Sequence, residues 1–337
     1  MGTVRLPFEE VKACLCQVLA GRGCPEKKAE KVAHEMARNS LEGVYTHGIN
    51  RFSRLVRNID EGIVRPGAEP EVTVRMGAME QVDGHLGLGI TNAWFAMEEA
   101  VKLAKSYGIG LVALRNTNHW MRAATYGYQA CDEGMAAVCF TNTMPNMPTW
   151  GAVDSRIGNN PLVFAFPRRE GHLITDMAMS QFSYGALELA RLQGRQMAID
   201  AGFDTAGNLT RDPDSVIKSQ RILPTGYWKG AALSFMLDIF AGVLSDGNTV
   251  SEVGRLAGDE HGVSQVFIVV DYRNLVTQEA AERIVEGAVK DLLASEKAQG
   301  TDRIIYTGQL TLECRADNLK NGIPVDEGVW SGILSLL

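Results

Sequence analysis

An imidazole, a flexible glycine and a guanidinium stand close together in Tyr45-Thr46-His47-Gly48 and Arg51. On a helical turn, residues four apart share a face, so His47 and Arg51 would point the same way. An imidazole with its ordinary pKa of about 6.5 can release a proton near neutral pH. A guanidinium can grip a carboxylate through two parallel hydrogen bonds. A dehydrogenase of small keto acids needs both: a proton donor for the carbonyl oxygen and a clamp for the carboxylate. Spacing alone equally allows a helix-end histidine bonded to a backbone carbonyl, and a solvated surface arginine.

Other polar groups gather where strands should end. Asn116-Thr117-Asn118-His119-Trp120 follows a buried strand at 111–114, and open α/β sheets place ligands at such ends. His119 could polarise a substrate oxygen or hold a nicotinamide, or the asparagines could simply close a loop. Thr141-Asn142-Thr143 sits in a similar place. In Arg156-Ile157-Gly158-Asn159-Asn160-Pro161, Gly158 and Asn159 tolerate unusual backbone angles. Such a turn exposes amides to a phosphate or carboxamide, or leads tightly into a strand. Asp176 lies inside the apolar run 173–179, where a carboxylate is costly unless paired. A histidine is its natural partner, and its cationic form would be favoured. An edge strand with Asp176 facing water is the rival. In Tyr227-Trp228-Lys229-Gly230, Lys229 is placed for a phosphate at a helix start and Trp228 for stacking. The alternative is a helix entry with a snorkelling lysine.

One motif is a decoy. Gly108-Ile109-Gly110-Leu111-Val112-Ala113 fits G-x-G-x-x-G/A, which in a Rossmann unit leaves a strand and opens a helix. Here a helix precedes it and a strand begins inside it, so it reads as a helix-to-strand turn. No metal site is expected. His34-Glu35 has no second histidine at the HExxH spacing, and the six cysteines form no CxxC pair, so they read as buried free thiols. The net charge of −7 and the lack of basic clusters argue against nucleic acid. The apolar stretch 231–244 contains Ser234 and Asp238 and is short for a bilayer span, so no membrane is expected. The N-terminus lacks a signal-peptide pattern, which makes the cytoplasm the expected location.

The elements that must position these groups follow from periodicity. Residues 1–62 predict three amphipathic helices, with apolar faces Val11, Leu15, Val18 and Leu19, then Ala29, Val32, Met36 and Leu41, then Phe52, Leu55, Val56 and Ile59. Strands are predicted at 72–76, 81–83, 110–114, 135–141, 161–166, 173–177 and 264–272. A helix is predicted over 91–107. The helix over 230–244 is apolar nearly all round and should be central. A long helix over 277–297 carries Ala281, Ile284, Val285, Ala288, Val289 and Leu292 on one side, and another helix covers 312–320. The expected fold is α/β of the α+β kind: a mixed sheet in the middle and a helical layer from both chain ends. Residues 1–72 with 277–337 would form a helical dimerisation and support region, and 73–276 a mixed-sheet cofactor- and substrate-binding region.

The chain resembles the malate/L-lactate dehydrogenase-like family of NAD(P)-dependent oxidoreductases, which is distinct from the Rossmann lactate and malate dehydrogenases. The resemblance rests on Glu42-Gly-Val-Tyr-Thr-His-Gly-Ile-Asn-Arg-Phe52, Gly108-Ile-Gly-Leu-Val-Ala-Leu-Arg-Asn116, Asn118-His-Trp-Met-Arg122, Arg156-Ile-Gly-Asn-Asn-Pro161, Phe182-Ser-Tyr-Gly185, Ile222-Leu-Pro-Thr-Gly-Tyr-Trp-Lys-Gly230 and Asn321-Gly-Ile323. It implies a non-Rossmann fold, a homodimer, NADH as donor with NADP possible, and His47 as proton donor. The implied substrate is a small polyhydroxylated 2-keto or 2,3-diketo acid. Reduction of another 2-keto acid or a cyclic imine is the near alternative, and a non-catalytic sensor the distant one. Arg51, His119 and Asp176 join His47 as candidate catalytic groups. By position, cofactor binding falls on His172, Leu173, Ile174, Thr175, Asp176, Met177 and Ala178, then Trp228 and Lys229, then Gly308, Gln309 and Leu310, with Asn160 in the preceding turn. Three departures stand out. Thr46 replaces the usual serine and keeps its hydroxyl. Asn159 replaces a usual threonine. Gly308-Gln309-Leu310 lacks the carboxylate of the family's Gly-His-Glu or Pro-Gly-Glu element, and Gln309 is its candidate substitute.

Overall fold

The computed structural model describes residues 2–337. Its frame is a seven-stranded sheet in the order Glu71–Met76, Met79–Asp83, Ile109–Thr117, Val263–Val270, Ala136–Thr141, Leu162–Phe166, Leu173–Met177. Met79–Asp83 and Ile109–Thr117 are parallel, and helix Gly89–Tyr107 provides the crossover that a parallel pair requires. The other five pairings are antiparallel. The sheet is therefore mixed, as the sequence predicts.

The decoy motif does what its order implies. Gly108 ends helix Gly89–Tyr107 with φ of 81°, and the strand starts at Ile109. A Cβ on Gly110 would lie 2.1 Å from the Ala100 carbonyl oxygen, so only glycine lets this strand press against the helix.

Alternation along the strands divides their side chains between two cores. Val112, Leu114, Cys139, Val163 and Phe267 pack with helices Gly89–Tyr107 and Ala124–Asp132 on one face. Ala113, Phe140, Leu162 and Val266 pack with helix Trp228–Ser245 on the other. A third core holds the predicted faces of helices Phe8–Ala20, Glu26–Leu41 and Ile49–Asp60 together with Ile323, Val325 and Ile333 from the far end of the chain. Strand Thr3–Leu6 pairs antiparallel with Ile323–Asp326, so both chain ends build one helical layer. These two strands were not predicted, because four residues are too few to show a period.

Two expectations fail. Helix Trp228–Ser245 is not central. Its small residues (Gly230, Ala231, Ser234, Ala241, Gly242 and Ser245) lie buried on the sheet side. Its large apolar ones face outward, with Phe240 51% and Val243 71% exposed. The helix spans 18 residues at mean hydropathy 1.2, longer than the apolar stretch suggests. It is nevertheless tied to the sheet through Asp238, which accepts from Asn142 Nδ2 at 2.9 Å. Helix Gln278–Leu293 buries only Ala281 and Val289 of its apolar side, and leaves Ile284 and Leu292 exposed. Ion pairs anchor it instead, with Arg168 Nε donating to Glu286 at 2.7 Å.

Gly110→Val should cost about 3 kcal/mol in urea unfolding, the upper end of the usual overpacking range. A loss below about 1 kcal/mol would show that helix and strand are not in tight contact there.

Candidate active site

The helical layer meets the strand ends around a cavity of about 450 Å³. His47, His119, Arg122, Thr143, Asp176, Glu260, Gln265 and Gly308 are among the residues lining it.

His47 ends a short 3-10 turn, Tyr45–His47, and Gly48 then breaks the path before helix Ile49–Asp60 begins. A Cβ on Gly48 would sit 2.1 Å from Ser40 Oγ, so glycine lets the turn press onto helix Glu26–Leu41. Asn39 Nδ2 donates to the His47 carbonyl at 3.0 Å, and Ile49 N donates to Ser40 Oγ at 2.9 Å. The turn is thus fastened on both sides of the imidazole. Thr46 Oγ1 lies 3.1 Å from His47 Nδ1, so the hydroxyl retained at position 46 touches the ring.

His119 stacks on His47 with ring centroids 5.6 Å apart and planes at 21°. Met121 N donates to His119 Nδ1 at 2.9 Å, which places the proton of the neutral ring on Nε2. Asn116 and Met121 hold positive φ on either side of this ring, the kind of local strain that tends to collect at functional sites. Burial, then Arg51 and Arg122, push the His47 pKa down to about 4. Burial, Arg51 and His47 hold His119 well below the usual imidazole range. Both rings are therefore neutral at pH 7.

Asp176 opens onto the same cavity, but it does not pair with a histidine. Its Oδ2 accepts from Ala124 N at 2.9 Å, at the start of helix Ala124–Asp132. That amide supplies what the imidazole was expected to supply. Although the side chain opens to the cavity, protein surrounds it closely enough for burial to raise its pKa, against the Ala124 amide and Arg122.

Arg51 lies apart from the expected arrangement. The break at Gly48 prevents His47 and Arg51 from sharing one continuous helical turn. Arg51 lines a smaller recess behind His119 and Glu260 and makes no ion pair among the described residues. Burial and Arg54 lower its pKa, while Glu260 and Asp259 raise it.

The cofactor residues divide. Ile174, Thr175, Asp176, Ala178 and Gly308 line the cavity. Gly308 has φ of 94°, and a Cβ there would come within 2.9 Å of the His172 carbonyl oxygen. Thr307 Oγ1 donates to the Ile174 carbonyl at 2.5 Å, which joins this glycine turn to the strand. Asn160 is buried beside the cavity: its Oδ1 accepts from Thr143 N at 3.1 Å, and its Nδ2 donates to the Ser234 carbonyl at 2.8 Å. His172 lies outside, 3.1 Å from Asp132. Leu173, Met177 and the exposed Leu310 are also outside the lining. So are Trp228, 61% exposed at the start of its helix, and Lys229. Gln309, the candidate substitute for the missing carboxylate, lies outside the lining, and its Nε2 donates to Glu313 at 3.0 Å.

Sequence reasoning missed Glu260, Arg122, Gln265 and Thr307. Gly258-Asp259-Glu260-His261 reads as a solvated turn, and Gln265 falls in the predicted strand 264–272, where its type alone does not mark a cavity wall. Arg122 alone could have been found, since it closes the same polar cluster as His119.

A mixed sheet with no Gly-rich turn from strand into helix, whose strand ends meet two stacked imidazoles, lies outside the Rossmann class. The chain belongs to the malate/L-lactate dehydrogenase family, which it matches over residues 6–334. It is 42% identical over 333 residues to the 2,3-diketo-L-gulonate reductase of Escherichia coli, covering 99% of this chain and 100% of that one. The malate dehydrogenase of Pyrococcus horikoshii superposes with a TM-score of 0.91 at 29% identity, covering 99% of this chain and 94% of that one. The sulfolactate dehydrogenase of Methanocaldococcus jannaschii gives 0.91 at 26% identity, with 99% and 96% covered. Family and fold together make the chain an oxidoreductase of small hydroxy or keto acids.

The depressed His47 pKa has a consequence for stability. The unfolded ring titrates near 6.5 and the folded one near 4, so between these values the unfolded chain binds more protons. The contribution is full above pH 6.5 and is lost as pH falls through 4. Urea unfolding should show His47→Asn losing less stability than wild type between pH 7 and pH 4.5. Asp176 and Glu260, whose pKa values are raised, act with the opposite sign but equally in both proteins.

Proposed function

We propose that the protein is an NADH-dependent reductase of a small polyhydroxylated 2-keto or 2,3-diketo acid, with 2,3-diketo-L-gulonate, reduced to 3-keto-L-gulonate, as the leading substrate. The observation that carries this reading is the stacked His47–His119 pair, which shares one cavity with Asp176 and the strand residues around it. Full-length identity of 42% to a reductase of that substrate supports the choice.

The residues fit a nicotinamide cofactor. Ile174, Thr175, Asp176, Ala178 and Gly308 offer a strand edge and a glycine cradle at the N-terminus of helix Gln309–Asn321, where free amides suit phosphate oxygens. Without a carboxylate at 309–310, nothing there repels a 2′-phosphate, so NADP is the second donor to assay. When bound, the cofactor supplies the hydride that reduces the keto carbon.

The chain supplies the proton and the alignment. His47 is neutral at pH 7 and must take up a proton to act as donor. An anionic keto acid beside the ring favours the imidazolium and offsets Arg51 and Arg122. His47 then protonates the oxygen of the reduced carbon. His119 presents Nε2–H as a hydrogen-bond donor to a substrate oxygen, its tautomer fixed by the Met121 amide. Arg51 contributes positive charge from behind His119.

The outward face of helix Trp228–Ser245 supports a homodimer, since Phe235, Phe240 and Val243 lie side by side and uncovered.

His47→Ala should lower turnover by about two to four orders of magnitude, the general-acid range, in an assay of NADH oxidation against a keto-acid panel. NADH affinity, read by fluorescence titration, should stay nearly constant. Unimpaired turnover in the variant would sink the assignment. Separately, sedimentation should give twice the chain mass for the wild type, and Val243→Asp should shift it toward monomer.

A further inference from the structure

We propose that Glu260 determines which acids the cavity admits, by accepting a substrate hydroxyl and turning away a second anionic group. This rests on the keto-acid reading above and adds a selectivity to it.

Glu260 stands in the wall between two spaces. It lines the 450 Å³ cavity and also the recess of about 20 Å³ that holds Arg51, Arg54, Asn118 and Asp259. The recess has room for about one water, so no substrate carboxylate enters it. Arg51 reaches the larger cavity only as a charge, and Glu260 lies at that boundary.

The cations behind this wall are largely engaged, with Arg57 3.9 Å from Asp259. Arg54 forks onto both oxygens of Asp259. Arg51 is left beside Glu260; burial raises the Glu260 pKa, and the Met144 amide, Arg51 and Arg54 work against that rise and favour the carboxylate. The larger cavity has one lining cation among the described residues, Arg122, and that guanidinium is committed to Glu42. A second carboxylate brought to this side would meet Glu260 with no free cation to offset it, and like charges at close range in a partly dry site repel strongly.

Glu260 cannot easily swing aside. Met144 N donates to its Oε2 at 2.8 Å. The preceding residue is pinned to helix Ile49–Asp60, with Asn58 Nδ2 donating to Asp259 Oδ2 at 3.0 Å. Glu260 N itself donates to Asp259 Oδ1 at 2.8 Å. Its Oε1 has no protein donor among the described residues. A fixed carboxylate with a free oxygen in a substrate cavity suits a donor, and a hydroxyl is the donor that a polyhydroxylated chain carries.

Malate and glycerate test this directly. They share a hydroxy-acid head, and they end in a carboxylate and a hydroxyl respectively. Neither reacts with the NADH complex, so each can be titrated into it by calorimetry. The wild type should bind glycerate at least tenfold more tightly than malate. Glu260→Gln keeps an acceptor for the Met144 amide and should move that ratio at least tenfold toward malate, and an NADH titration confirms that the variant is folded. An unchanged ratio, a wild type that prefers malate, or no glycerate binding overturns the assignment. If the ratio moves but no keto acid in the panel turns over, the reductase reading fails and the Glu260 assignment stands.

Discussion

The buried ion pair of Glu42 and Arg122 joins the two halves of the molecule. Glu42 caps helix Glu26–Leu41 in the helical layer, and Arg122 follows the His119 loop at the end of a sheet strand. Arg38 closes the group, its Nε 3.0 Å from Glu42. Burial works against the Glu42 charge, but the two guanidiniums outweigh it and hold its carboxyl below the usual range. Breaking such a pair strands a charge in the interior, at a typical cost of about 3–5 kcal/mol. Its position gives it a role beyond stability. His47 lies five residues after Glu42 and His119 three before Arg122, so the pair sets the register in which the two rings stack.

That arrangement also sets the electrostatics. Burial depresses the His47 pKa most, Arg51 comes next, and the same Arg122 that holds the layers together adds to the effect. Two half-buried imidazoles with ring centroids 5.6 Å apart, beside Arg51 and Arg122, disfavour double protonation. The pair therefore accepts one proton, and an incoming anion favours its uptake. Selective attraction for a small acid and readiness to protonate it come from one source. Neither depends on a carboxylate touching a ring, which is why the Asp176 amide bond takes nothing from the site.

Most of the frame was legible because it is periodic. The apolar stripes of the first three helices leave a mark that burial reproduces, as do most of the strands, though in the edge strand Glu71–Met76 the alternating Val74 and Met76 are exposed. Gly108 and Gly110 were legible from order alone. Helix Trp228–Ser245 misled because composition cannot show which side carries the small residues and which the large. Within the site, His47, His119 and Asp176 stand out as chemistry in segments that periodicity could place. Glu260 does not, because its turn reads as solvent-facing and the contacts that hold it, Met144 on Glu260 and Asn58 on Asp259, come from far away in sequence. The break at Gly48 was equally hidden. Its need for glycine comes from Ser40 and Met36 on the neighbouring helix, not from the turn itself.

Trp228 and Lys229 follow from the same geometry. They open a helix whose sheet-facing side is set by Gly230, Ala231 and Ser234, and this turns the two preceding side chains toward solvent. Asn160 links that helix to the cavity through the Ser234 carbonyl and the Thr143 amide. The helix start and the cavity wall are thus mechanically one unit even though Lys229 lies outside the lining. What cannot vary is the inner end, where Gly308 and Gly48 each leave no room for a Cβ and fix the distance between the strand and the imidazole pair.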